Sequence, residues 1–282
     1  MRIYHLNCAT MCPVSAKLVN GTGCLISPAE MICHCLLIET KNKLILVDTG
    51  LGLQDLANPD HLGYIFRKII RPKLSLAETA AEQVKKLGYS TNDVQHIILT
   101  HLDLDHAGGL PDFPNAEVHV SGSEYNAAMA IGSLRAKFRY HSAHWSHNPK
   151  WKTHRVEGEN WFGFEAVRTI DNEETEILLI PLIGHSDGHC GIAIKLSEKW
   201  ILHCGDAYFF YGEMSLNKSH CTLGLSTYQR MMETDHKARR NNRNRLRELK
   251  QYHGNSIQMF CSHDHSELLK CREENDPNIF KT

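Results

Sequence analysis

Short apolar runs, five to seven residues long, recur along the chain at 32–38, 44–48, 95–100, 117–121, 177–181, 191–196, 200–204 and 257–261. Their length and their content of valine, isoleucine and leucine predict β-strands, many of them covered on both faces. Lys41-Asn42-Lys43 reads as the hairpin turn between the first two. Helical spacing takes over at 76–87, where Ser75 and Glu78 have the separation of a capping box and Gly88 supplies a stop. Further helices are predicted over 122–131 and about 226–252. Strands alternate with helices in both halves, so each sheet should be covered on its outer face by helices.

At 282 residues, 42% hydrophobic and without a low-complexity linker, the chain reads as one domain spanning 1–282. A net charge of −1 calls for neither nucleic acid nor an anionic membrane as partner. The start, Met1-Arg2-Ile3-Tyr4-His5-Leu6-Asn7, lacks the apolar core of an export signal, and no apolar run approaches the ~20 residues of a membrane span. A cytoplasmic protein is the expectation, with its ten cysteines as thiols. Cys8 and Cys12 fall in what reads as an irregular loop, where packing and a metal or redox role both stay open. Cys33 and Cys35 flank His34 on a strand, so alternation puts the thiols on one face and the imidazole on the other.

Two segments invite other readings. The basic run 237–247 lacks interleaved aromatic residues and lies among Glu233, Asp235 and Glu248, so a solvated helix face is expected rather than an RNA-binding patch. The segment 133–164 is loop-like and dense in histidine and tryptophan (His141, His144, Trp145, His147, Trp151, His154, Trp161). It is either a long connection clamped to the body or an insertion walling a substrate cleft.

The most informative stretch is Thr100-His101-Leu102-Asp103-Leu104-Asp105-His106-Ala107-Gly108-Gly109. Four metal-binding side chains fall within six residues, after an apolar run and before two glycines. Leucines alternate with the polar groups, so the latter can converge while the former enter a core. Imidazole and carboxylate suit zinc, iron and manganese.

This run resembles the H-x-H-x-D-H signature of the metallo-β-lactamase superfamily, and the resemblance continues in order along the chain. The superfamily's early aspartate matches Asp48 in Leu46-Val47-Asp48-Thr49-Gly50, and its Gly-His turn matches His185 in Gly184-His185-Ser186-Asp187. Its later aspartate matches Asp206 in His203-Cys204-Gly205-Asp206, and its last histidine matches His263 in Cys261-Ser262-His263. One position departs: Asp103 stands where the signature has its second histidine. The resemblance implies an α/β (α+β) four-layer αββα sandwich with two divalent metal ions at one edge of the sheets. His101, Asp103 and His185 would hold one ion, Asp105, His106 and His263 the other, and Asp206 would bridge them. Asp48 would fix the ligand loop from behind. His189 and His265, each close in sequence to a ligand, are expected to support ligands rather than to bind metal.

The implied reaction is hydrolysis by a hydroxide bridging the two metals. The Asp-His-Ala-Gly-Gly ending looks most like the branch of acyl-homoserine-lactone lactonases, which implies a small-molecule lactone or related ester as substrate and a catalytic part for Asp105. That branch uses a tyrosine three residues after the bridging aspartate to assist the substrate carbonyl. Here Tyr208 and Tyr211 stand two and five residues on, and both are candidates. Zinc is the first expectation. Asp103 brings iron or manganese closer, because a third carboxylate favours harder ions. It also lowers the charge of a loaded centre by one, which should make its water less acidic. A carboxylate at this position resembles the diiron oxidoreductases of the flavodiiron kind, which would need a separate electron donor. A metal-binding module without turnover is the third alternative.

Overall fold

The computed structural model describes the chain except for residues 131, 133, 156, 171–174 and 276–282. The described strands form two six-stranded sheets. The first takes β1 (Arg2–Met11), β2 (Met31–Glu39), β3 (Leu44–Val47), β4 (Val94–Ile98), β5 (Glu117–Ser121) and β6 (Lys150–His154) in chain order. It is antiparallel from β1 to β3 and parallel from β3 to β6. The second takes β7 (Glu159–Trp161), β8 (Phe164–Arg168), β9 (Ile177–Pro181), β10 (Cys190–Lys195), β11 (Trp200–His203) and β12 (Ile257–Phe260), with only β11 and β12 parallel.

Alternation sorts the two faces of each sheet. Leu36, Ile38, Ile45, Val47 and Ile98 of the first sheet meet Ile177, Leu179, Ile192, Ile194 and Ile201 of the second in a core between them. Leu46, Ile97, Val118 and Val120 face the other way, under the helices Ala80–Lys86 and Gly122–Met129. Across the molecule Leu178, Ile180 and Leu202 pack beneath Leu246 and Leu249 of the helix His236–His253. Each such side chain contributes about 1.5–3 kcal/mol on burial, so the layering follows from the strand pattern. The αββα sandwich is the one the sequence implies.

Several boundaries differ from expectation. The helix over 76–87 begins as a 3-10 turn, Leu76–Glu78, and its cap is Thr79, whose side chain accepts from Glu82 N, rather than Ser75. The single helix over 226–252 is two, Leu223–Met232 and His236–His253, because Asp235 accepts from Ala238 N and starts the second. The helix over 122–131 is described to Met129, and position 131 lies outside the described residues. Cys8 belongs to the long strand β1 and is buried, not in a loop.

The segment 133–164 is not loop-like. Its described residues, which leave out 133 and 156, form a helix Leu134–Arg139, a turn Ser142–Trp145 and the strands β6 and β7, which edge the two sheets. The basic run 237–247 is not simply a solvated face either. Arg239 donates to Glu233 and Gln229, Arg243 to Glu213, and Arg245 lies over the Phe164 ring. No described helix is long and apolar enough to cross a membrane.

Candidate metal centre

The loops leaving the carboxyl ends of β3, β4, β11 and β12, and the loop entering β10, meet at one edge of the sandwich, the place where open α/β sheets gather ligands. They bring together His101, Asp103, Asp105, His106, His185, Asp206 and His263. Asp206 lies in the middle. Its Oδ2 is 3.5 Å from His185 Nε2 and 3.9 Å from His101 Nε2, while its Oδ1 is 3.4 Å from His106 Nε2 and 3.1 Å from His263 Nε2. His263 Nε2 is almost as close to Oδ2, at 3.2 Å, so the carboxylate sits between two pairs of imidazoles, His101 with His185 and His106 with His263. The groups His101–His185–Asp206 and His106–Asp206–His263 are each compact enough to hold an ion. Asp103 Oδ2 joins the first, 3.1 Å from His185 Nε2 and 3.5 Å from His101 Nε2. Asp105 Oδ2 joins the second, 3.8 Å from His106 Nε2 and 3.7 Å from His263 Nε2.

His101 Nε2, His106 Nε2 and Asp206 Oδ1 are buried without a hydrogen-bond partner. An unsatisfied buried polar atom costs about 1–3 kcal/mol, more if charged, and cations bound in the two groups would satisfy all three. Electrostatics agree. Burial pulls the His106 imidazole down, but Asp206, Asp105 and Asp48 outweigh it and lift it to about 10. His263 is raised in the same way against burial, chiefly by Asp206. Burial raises Asp206, but His263, His106 and His185 hold it well below the usual carboxylate range. Burial, helped by Arg139, drops His185 to about 4. The site is an anionic cage that attracts positive charge, and the residues present fit divalent ions.

The supports behind these groups are local. Asp48, in the left-handed region at φ 55°, accepts from Thr100 N and Thr100 Oγ1, both at 2.8 Å, and from His106 Nδ1 at 2.9 Å. That last bond puts the His106 proton on Nδ1 and leaves Nε2 facing Asp206. His263 Nδ1 is held by Ile32 O at 2.8 Å. His189 uses both nitrogens, one on Leu182 O and one accepting from Asp206 N at 2.8 Å, so it carries the Asp206 backbone and keeps no lone pair for a metal. Gly205 makes this approach, since at φ 53° any Cβ would run into His189. His265 is not brought to the ligands: its Nδ1 pairs with Glu30 Oε1 at 2.9 Å on the surface.

Two residues that the motifs do not reveal tie the site together. Buried Glu124 accepts from Leu102 N and Tyr140 Oη on one oxygen, and from Ser186 Oγ and Gly188 N on the other. It thereby clamps the 101–106 loop to the loop of His185. Ser121 and Glu124 have capping-box spacing, and Ser121 does cap the helix, a signal that hides this second role. Arg139, from the helix Leu134–Arg139, reaches Asp103 Oδ1 at 3.1 Å. The one hint of it in sequence is the surplus carboxylate, which asks for a cation.

The structure corrects the expectation for Tyr208. Tyr208 is buried in the outer core of the second sheet, and its hydroxyl donates to Glu267, away from the ligands. Tyr211 is 51% exposed and lines a cleft of about 390 Å³ beside His263, with Met31, Phe209, Phe210 and Leu225. The third position after Asp206 is Phe209, whose ring stacks on His263 with centroids 4.8 Å apart. Tyr228, on the helix Leu223–Met232, meets Phe209 edge-on at 5.8 Å. Burial and the charges of Asp105, Asp103 and Asp206 raise its phenol well above the ordinary value.

A family model described as the metallo-beta-lactamase superfamily matches residues 29–255. A Mycobacterium tuberculosis protein named probable metallo-hydrolase is 38% identical over 264 residues, covering 94% of this chain and 80% of that relative. The N-acyl homoserine lactonase of Bacillus cereus is 27% identical over 234 residues, covering 80% of this chain and 85% of its own. A solved N-acyl homoserine lactone hydrolase, with N-hexanoyl-L-homoserine bound at its catalytic metal centre, shares the fold at a TM-score of 0.69 and 23% identity over 96% of both chains. AidC, a dizinc quorum-quenching lactonase, does so at a TM-score of 0.62 and 18% identity over 93% of this chain and 86% of its own.

Proposed function

The chain belongs to the metallo-β-lactamase superfamily and is a metallo-hydrolase, and from that premise we propose that it opens a small-molecule lactone, or a closely related ester, at a pair of divalent ions. One observation carries the reading: Asp206 lies between two compact ligand groups, His101 with His185 and His106 with His263, each with a buried, unpartnered imidazole Nε2. His101, Asp103 and His185 would hold one ion, Asp105, His106 and His263 the other, and Asp206 both. Zinc is the first expectation, in keeping with imidazole-rich sites. The named metallo-hydrolase and lactonase relatives favour hydrolysis over the oxidoreductase and the non-catalytic module.

Bound ions would acidify a shared water and polarise the carbonyl under attack. The chain's own groups do the rest. Asp105 is less buried than the other candidate ligands, so its carboxylate can take the proton given up by the attacking water and return it to the departing alcohol. Tyr228, packed edge-on against the Phe209 ring that stacks on His263, supplies a phenol that can donate to the carbonyl oxygen, the part expected of Tyr208 or Tyr211. The apolar wall of Met31, Phe209, Phe210 and Leu225 suits an acyl or alkyl group.

The test is a panel of lactones, esters, thioesters and phosphodiesters. Lactones should turn over fastest, stop on chelation and resume with added zinc. Inert lactones beside a cleaved thioester or phosphodiester would defeat the substrate assignment and leave the metallo-hydrolase.

A further inference from the structure

Away from Asp206, a second set of metal-binding groups lies on the first sheet. Parallel pairing sets His96 of β4 opposite Glu117 of β5, and His119 follows two residues on, on the same face. Ile97 and Val118 point into the helix-covered core, so these three side chains share the opposite face. His96 lies five residues before His101, which at ~3.3 Å per residue separates the cluster from the Asp206 centre by about 16 Å along the strand.

We propose that His96, Glu117 and His119 form an auxiliary site for a transition-metal cation such as zinc, cobalt(II) or nickel(II). His96 Nδ1 is 3.1 Å from His119 Nε2 and 3.6 Å from Glu117 Oε2. Two donors on a tetrahedral zinc ion stand about 3.3–3.4 Å apart, so an ion fits between them with little movement. His119 is 4% exposed, and its Nδ1 is 3.0 Å from His154 Nε2; with the proton on Nδ1 this bond frees Nε2 for a cation, as an outer partner does at known metal sites. Burial, then His96 and His154, drop His119 to about 3, so it stays neutral and ready to coordinate.

Two lysines work against the ion and set its affinity. Lys43 Nζ is 3.4 Å from His96 Nε2, and Lys152 Nζ is 3.4 Å from Glu117 Oε1. Coordination through His96 Nδ1 puts that ring's proton on Nε2, so Lys43 must retract. The site is therefore weaker than the centre at Asp206 and is filled by free metal at equilibrium rather than retained through desalting.

The experiment loads the protein with zinc, desalts it and titrates it with cobalt(II), following uptake and the visible cobalt spectrum. The wild type should take up one more equivalent than His119→Ala. Glu117→Gln, an accessible change that spares the core, should weaken uptake about tenfold or more, and Lys43→Met should tighten it. Differences between proteins are read, so the outcome stands whatever number of ions the Asp206 centre holds. Equal uptake and affinity in wild type, Glu117→Gln and Lys43→Met would overturn the proposal.

Discussion

Arg139 Nη1 lies 3.1 Å from Asp103 Oδ1, both groups buried, while Asp103 Oδ2 faces His185. Neither atom has an aligned hydrogen bond, so the contact is one of charge. Burial raises the Asp103 carboxyl, but Arg139, then His101 and His185, hold it well below the usual range. This pair changes the charge account of the site. A third carboxylate alone would take one unit from a loaded centre, and the guanidinium returns it. Asp103 and Arg139 together are neutral, as a histidine would be.

Replacing Asp103 by His alone should therefore not restore a common histidine site. It strands a buried guanidinium, at a cost of about 3–5 kcal/mol in stability. Asp103→His combined with Arg139→Gln should recover most of that loss in denaturant unfolding. Arg139→Gln alone removes a positive charge beside the centre and should move the activity–pH profile to higher pH. A fully stable Asp103→His variant would show that the pair carries no such charge balance.

Tyr228→Phe should lower turnover by ~10²–10³, the usual cost of one lost carbonyl donor, with metal content unchanged. Tyr208→Phe should instead act on stability, since its hydroxyl is committed to Glu267. Full activity in Tyr228→Phe would remove the phenol from the mechanism.

Burial and Asp264 raise the Glu267 carboxyl to about 7. A carboxyl raised above its unfolded value binds its proton more tightly in the folded state. The stability it contributes is present at low pH and is lost as pH climbs from about 4.5 through about 7. Glu267→Gln should flatten the stability profile across that window, a difference of roughly 2–3 kcal/mol between its ends. A profile that still falls as steeply would place the titrating group elsewhere.

The candidate ligands were legible because each follows an apolar strand within a few residues, so strand pattern and side-chain chemistry coincide. What acts on them from afar was not. Arg139, Glu124 and Tyr228 come from helices whose own sequences show only capping or helical spacing. Tyr208 misled because the chain leaving β11 turns it, with Ala207, into the helix-covered core. β6 escaped notice because it is an edge strand with no fully buried residue, so it lacks the alternation that marks half-buried strands. β7, only three residues long, was equally easy to miss.

The central claim is a dinuclear centre shared through Asp206, and elemental analysis of desalted, metal-loaded protein tests it most directly. Two ions per chain are predicted in the wild type and one in His263→Ala, with hydrolysis lost in the variant. One ion per fully loaded chain, unchanged by His263→Ala, would contradict the account.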